Sequence, residues 1–446
     1  MGEAWTVHKF GGSVLRGAPD LDRLADRIAE DDGPAAIVVS ALWGTTDRLL
    51  RAVDDPRYAE RLVSDLRSHH LMFAPRLDRG RDGSRFERVL ITMEEALRRR
   101  RADPTDDDAR IQLLASGERL SALVIAHHLR RCGFPAHAVG AEDIGMMLSG
   151  TLEADAVDLE QSAQKFDRSI LHGIPVITGW LGSGRDGALA LLGRGGSDHT
   201  ATAVAHLLGA RRVILWKDVR GIHPVNPRWG IDTEPITYVP YELARMAAGL
   251  DATVLHPATV GPCIADGIPI EVRHLSEPLS NPAATTIGPD LITDSGLLAA
   301  ACTMDVCAIE VTFPPVGTPG TQQAALLTQL ANHGLSVHAS LSWVDGIRLI
   351  VDASGVKAVE ASLRVLGMEV NRVGEASAMI TFIGSWKDPE AWLHDLSMDD
   401  VDVVDHDTRR IRVLVPRDHV KLALEQTART SSVSYTHLTL PTILLV

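Results

Sequence analysis

The sequence predicts an α/β protein: a three-layer sandwich with a mainly parallel central sheet, followed by two small α+β modules. Three observations carry that expectation. Over the first 290 residues short apolar runs alternate with helical patterns, the signature of parallel strands covered on both faces. Beyond them the pattern changes and repeats. Within the first region lies the most telling stretch, Leu192-Gly193-Arg194-Gly195-Gly196-Ser197-Asp198, set between the apolar run Ala188 to Leu192 and the helical pattern His199 to Leu208. Strand, glycine turn and helix N-terminus together present backbone N–H groups to an anion.

Taken in order, Trp5 to Phe10 reads as a strand, and Asp20 to Glu30 as a helix with Leu21, Leu24, Ala25 and Ile28 on one face. Ala35 to Ala41 is a buried run. Ala102 to Asp108 is an acidic, proline-containing loop. Ser116 to Arg131 is an amphipathic helix that ends at Gly133. Ile174 to Leu181, Ala188 to Leu192 and Val213 to Val219 are further strands, and Tyr241 to Gly249 another helix. Pro278, Asn281, Pro282, Gly288 and Pro289 break regular patterns from Ser276 to Asp290, which places a boundary there.

Past the boundary, Val306 to Phe313, Leu335 to Leu341, Gly346 to Asp352 and Met368 to Val373 read as strands, with helices at Thr321 to His333 and Val356 to Leu366. Strands Ala378 to Gly384, Val401 to Asp405 and Ile411 to Val415 follow, with helices Pro389 to Leu396 and His419 to Ala428. Two βαββα modules, 297–374 and 375–430, are the economical division after a first domain over 1–290. Residues 431–446 carry no Asp, Glu, Lys or Arg. They read as a frayed terminus or as sequence foreign to the natural protein.

The chain has 446 residues, 45% apolar and 23% charged, enough for about three domains. Its net charge of −14 argues against nucleic acid or an anionic membrane as partner. Any anionic substrate must then be held by a local basic site. Cys132, Cys263, Cys302 and Cys307 show no metal spacing, so reduced, buried thiols and a cytoplasmic setting are expected. No protein metal site is expected either.

Six segments, in order, resemble the aspartate kinase branch of the amino-acid kinase family over roughly residues 5–290. They are Val7-His8-Lys9-Phe10-Gly11-Gly12-Ser13, Val38 to Ala41 with Gly44 and Thr46, and Gly117-Glu118-Arg119-Leu120-Ser121-Ala122 at a helix start. The others are the Leu192 to Asp198 turn, Trp216 to Ile222 with Pro227-Arg228, and Val254 to Thr259. The later repeats resemble paired ferredoxin-like ACT regulatory modules. The resemblance implies transfer of the ATP γ-phosphoryl group to the side-chain carboxylate of L-aspartate, with Mg²⁺ bound to the nucleotide.

It also implies roles. Lys9 and Asp198 would be catalytic, Lys9 against the moving charge and Asp198 orienting it. Arg194 would clamp the α-carboxylate of aspartate and Glu118 its ammonium. Ser40, Thr46 and Ser197 would add polar contacts, with Trp180 walling the pocket. Gly11, Gly12, Ser13, Lys217, Asp218, Gly221, His223 and Arg228 would hold the nucleotide. Lysine or threonine would bind at Asn332, His333, Gly334, Leu335, Ser336 and Val337, and homo-oligomers would form through the modules. Simpler readings stand beside these: Glu118 as a cap near Ser116, Asp198 as an acid on its own helix dipole, Asn332 to Val337 as a plain turn. The chain departs from the family pattern at Asp47, His223, Asn226 and Thr253, the last replacing a lysine, and its first glycine motif is one residue short. A sibling kinase for another acceptor, or a catalytically weakened homologue that binds amino acids, are the alternatives.

Overall fold

The computed structural model describes residues 4–248, 255–290, 296–395 and 401–430. Gly249, Thr253, Val254, Leu396 and the anomalous 431–446 stretch lie outside the described residues. Contacts divide the chain into two units, Met1–Ile222 with Pro235–Gly249 and Val254–Leu291, and His223–Glu234 with Leu250–Thr253 and Ile292–Val446.

Among its described residues the first unit is built on eleven strands: β1 (Thr6–Phe10), β2 (Ala35–Val39), β3 (Ala136–Val139), β4 (Glu153–Ala154), β5 (Ile174–Thr178), β6 (Leu181–Ser183), β7 (Leu189–Leu192), β8 (Arg212–Lys217), β9 (Tyr238–Pro240), β10 (Ile270–His274) and β11 (Thr285–Gly288). Eight form one sheet in the order β3-β5-β2-β1-β8-β10-β11-β9, and β4-β7-β6 form a small second sheet. Every pairing in the large sheet is parallel except β10 with β11. Helices α1 (Ala18–Ala29), α2 (Thr45–Asp54), α3 (Pro56–Phe73), α4 (Gly80–Ala102), α5 (Asp107–Arg131), α6 (Leu159–Lys165), α7 (Gly196–Leu208), α8 (Tyr241–Ala247) and α9 (Pro257–Ile264) complete it.

The central strands are buried on both faces, which is why they read as continuous apolar runs. Ile37, Val39, Ile214 and Trp216 join one core with residues of α1 and α5. Their alternating neighbours Ala36, Val38, Val213 and Leu215 are just as buried, so they face the opposite layer. The three-layer sandwich with a mainly parallel sheet is the architecture expected.

Several local expectations need correction. The helix expected from Ser116 starts at Asp107, because Asp106 caps it by accepting from Ala109 N at 2.9 Å. Glu118 therefore sits mid-helix and is no cap. The interrupted stretch Ser276 to Asp290 still contains β11, a four-residue strand that pattern breakers conceal. Cys132 is exposed, while the other three thiols are buried, and no disulfide joins any of the four.

The second unit contains β12 (Gly296–Thr312), α10 (Pro319–Asn332), β13 (Val337–Trp343), β14 (Gly346–Asp352), α11 (Val356–Val365), β15 (Glu369–Ser385), α12 (Pro389–Asp395), β16 (Asp402–His406), β17 (Arg410–Val415) and α13 (Val420–Thr430). It is one antiparallel sheet, β13-β14-β12-β15-β17-β16, rather than two separate ones. The halves share β12 and β15, each 17 residues long. His223–Glu234 groups with this unit because Val225 bridges to Ala300 and packs, fully buried, with Ile380 and Phe382.

Candidate active site

Lys9, Glu118, Arg194 and Asp198 converge at the carboxyl ends of the first unit's strands, where open α/β sheets bind ligands. A cleft of about 390 Å³ is lined by Lys9, Ser40, Thr46, Glu118, Trp180, Arg194, Ser197 and Asp198. That volume suits a small polar ligand.

Lys9 is the penultimate residue of β1 and Lys217 the last of β8, and these strands pair in parallel. Both ammonium groups reach the same carboxylate: Lys9 Nζ lies 2.7 Å from Asp198 Oδ1, and Lys217 Nζ 2.7 Å from Asp198 Oδ2. Asp198 comes from the first turn of α7. Burial alone would raise its pKa, but Lys217 and Lys9 hold the carboxyl well below the usual range. Burial lowers the Lys9 ammonium, with Asp198 pulling it back up. Two cations on one anion leave the cluster with a surplus positive charge, a seat for phosphate oxygens.

The turn before α7 needs glycine at its N-cap, because Gly195 adopts a left-handed φ of 73°. This geometry exposes the Arg194 side chain at the cleft. Trp180 also has positive φ, 70°, a strained conformation for a bulky residue. It is fixed because its N–H donates to Thr200 Oγ1 at 3.0 Å and its indole N–H to the Leu192 carbonyl.

Glu118 owes its place to Gly117. A Cβ there would lie 2.9 Å from Ala41 Cβ and 3.1 Å from Leu49 Cδ1, so glycine in mid-helix lets α5 close on the loop after β2. Glu118 Oε1 then accepts from Ala41 N at 3.1 Å, and Oε2 is buried without a partner. Burial pushes this carboxyl up to about 8, against the opposing Ala41 N–H. The carboxyl is therefore held mainly protonated at neutral pH until a cation arrives to favour its ionised form.

Of the expected nucleotide residues, Gly11, Gly12, Ser13, Lys217, Asp218 and Gly221 lie in the first unit. Gly11 to Ser13 follow β1 directly, and Asp218 follows β8. His223 and Arg228 fall in the second unit. There His223 Nδ1 is 3.0 Å from Thr233 Oγ1, and the Arg228 N–H donates to Asn226 Oδ1. The expected effector turn is the end of α10 and start of β13, where Ser336 N donates to Asp352 Oδ2 at 3.0 Å.

Three residues escaped the sequence reading. Arg110 and Glu153 line the cleft as an ion pair at 2.7 Å. Arg16 joins the loops after β1, β2 and β8: it donates to the Ser13 carbonyl and Asp218 Oδ2 at 2.8 and 3.0 Å, and lies 4.6 Å over the Trp43 ring. Nothing local in the sequence marks them. Among the described residues no group of three or more His, Cys, Asp or Glu is placed to hold a metal, and no helix is long and apolar enough to cross a membrane.

The model of the Amino acid kinase family matches residues 4–274. The chain is 30% identical over 314 residues to Aspartokinase 2, chloroplastic, of Arabidopsis thaliana, covering 65% of this chain and 56% of that protein. It is 26% identical over 385 residues to the aspartokinase of Chlamydia pneumoniae, covering 85% of each. The chain thus spans little more than half the length of the plant relative. The structure is similar to that of E. coli aspartokinase III in complex with aspartate and ADP (R-state), with a TM-score of 0.76 at 22% identity over 95% of this chain and 99% of that one.

Proposed function

The chain belongs to the amino acid kinase family, and on that premise we propose that it transfers the γ-phosphoryl group of ATP to the side-chain carboxylate of L-aspartate, giving 4-phospho-L-aspartate. The observation that carries this reading is the opposed charge in one cleft. Arg194 offers a guanidinium to an α-carboxylate, Glu118 an unpartnered oxygen to an α-ammonium, and Lys9 with Lys217 a cationic seat for phosphate. A zwitterion with a second carboxylate satisfies all three. The names of the relatives support the choice of acceptor.

The acceptor carboxylate is already ionised at neutral pH, so no general base is required. One of its oxygens attacks Pγ, the bond from Pγ to the bridging oxygen of ADP breaks, and that oxygen leaves as an anion. The task of the site is positioning and neutralisation. Lys9 and Lys217, kept apart by Asp198, meet the charge that moves between the phosphates. Mg²⁺ bound with ATP supplies further neutralisation. Both Asp198 oxygens already hold ammonium groups, so the cluster does not fit a protein cage for the ion, and the phosphates would carry it.

In the second unit, β13 is an edge strand with Leu341 and Trp343 half exposed. This supports association with another copy, and the Asn332 to Val337 turn is the proposed seat of a lysine or threonine effector.

The test is ATP-dependent trapping of the acyl phosphate with hydroxylamine. Hydroxamate from L-aspartate, and little from L-glutamate or N-acetylglutamate, is expected. Bound aspartate without turnover at saturating ATP would overturn the kinase reading in favour of a weakened, amino-acid-binding homologue. The departure at Thr253, outside the described residues, motivates that second reading.

A further inference from the structure

A second cavity, of about 290 Å³, lies between α4, α5 and the ends of β3 and β5. Its lining is charged in both senses. Arg85 and Arg88 stand one helical turn apart on α4, and neither forms an ion pair among the described residues. Arg85 uses one N–H on the Ala138 carbonyl at 2.9 Å. Facing them, Glu142 Oε1 accepts from Arg119 Nη2 at 2.7 Å, while its Oε2 is buried without a partner. Asp143 accepts from Gly140 N at 3.2 Å.

The exposed Arg85 and Arg88 guanidiniums have no carboxylate partner, and the buried Glu142 Oε2 without a donor is costly to keep without a use. A bare oxyanion would meet Arg85 and Arg88 but also the like charges of Glu142 and Asp143. A bare cation would face the converse. We propose that this cavity is a second amino-acid site, which takes the carboxylate of a small zwitterion on Arg85 and Arg88 and its ammonium on Glu142 Oε2. The volume is enough for one amino acid. Arg119 follows Glu118 on α5, and Thr178, two residues before Trp180, also lines the cavity. The site thus borders two of the elements that build the catalytic cleft. The binding claim stands apart from the proposed reaction.

Calorimetric titration of the full chain with each of the twenty amino acids, and with inorganic phosphate, tests it. At least one amino acid should bind with an affinity that Arg88→Glu lowers at least tenfold and Glu142→Gln also lowers. Arg88→Ala should give the same trend, which guards against misfolding of the charge-reversed variant. Hydroxamate formation from aspartate without added ligand should change less than twofold in the Arg88 variants. The proposal is overturned if no amino acid responds to these substitutions. It is equally overturned if inorganic phosphate occupies the site and binds more tightly in Glu142→Gln, which marks a simple oxyanion pocket.

Discussion

The two units treat charge in opposite ways. In the first, Lys9, Glu118, Asp198, Lys217, Arg273 and the ring of His8 are all buried. In the second, the buried polar residues among those described are Gln322, Thr381 and Thr427, and no charged side chain is buried. Burying charge is costly unless it is paired, and even then it is seldom retained for stability. The group of Lys9, Lys217, Asp198 and Glu118 at the carboxyl ends of the strands therefore marks where the fold has accepted that cost for chemistry. The second unit keeps its ions in solvent and fills its interior with Ile380, Phe382, Ile411 and Val413, as a unit that recognises ligands at its edges can.

Asp198→Asn strikes this contrast hardest. It leaves two buried ammonium groups sharing a neutral amide, and breaking such a cluster costs about 3–5 kcal/mol of stability. Activity should fall on the order of 10³-fold, as when a preorganised charge is lost from a transition-state site. Lys9→Met, which leaves the Lys217–Asp198 pair intact, should lose similar activity with a smaller drop in Tm. Hydroxamate assays beside thermal melts separate the two effects; near-normal turnover in both variants would mean that the buried charges are structural. Arg194→Met comes next. KM for aspartate should rise on the order of 10- to 100-fold with KM for ATP little changed, the usual loss for a charged hydrogen bond.

How much of this was legible follows from where the residues sit. Lys9, Arg194 and Asp198 stand at strand ends and a glycine turn, places that local sequence punctuates. Glu118 was found with its neighbours, but its mid-helix position was hidden by Ser116 and Gly117, which look like a helix start until Asp106 is seen to cap. Lys217 was assigned to the nucleotide alone, since nothing in the sequence shows that two strands 200 residues apart would aim two ammonium groups at one carboxylate. Arg110 and Glu153 resemble ordinary surface charges. The long strand β12 was read as beginning at Val306 because its register shifts between Thr303 and Val306, where Asp305 has φ of 60°. A bulge interrupts the alternation that sequence reading depends on.

Glu118→Gln sharpens the comparison through pH. Burial pushes the Glu118 carboxyl up to about 8 in the folded protein, from its ordinary value of 4.5 when unfolded. Because the folded value is raised, its contribution to stability is complete below pH 4.5 and is lost as pH climbs through 8. Glutamine does not titrate, so the Tm gain of the variant should be near zero at pH 4.5 and largest above pH 8. Aspartate affinity of the parent should rise with pH and level off above 8, since only the ionised carboxyl pairs with the ammonium. In Glu118→Gln that slope should vanish. A parent profile flat between pH 6 and 8.5 would remove Glu118 from the ammonium site.

The smallest effect belongs to the second unit, and it decides whether solvated charge there regulates at all. Asp352 ties the end of the proposed effector turn twice, accepting from Ser336 N at 3.0 Å and lying 2.8 Å from His338 Nε2 through its other oxygen. Both groups are partly exposed, so Asp352→Ala should shift the midpoint of lysine or threonine inhibition only about two- to fivefold. Turnover without effector should stay within twofold, because no buried charge is disturbed. If turnover falls as far as inhibition does, the turn serves the stability of its sheet rather than recognition of an amino acid. If inhibition shifts alone, the division of labour between buried and solvated charge holds at its weakest point.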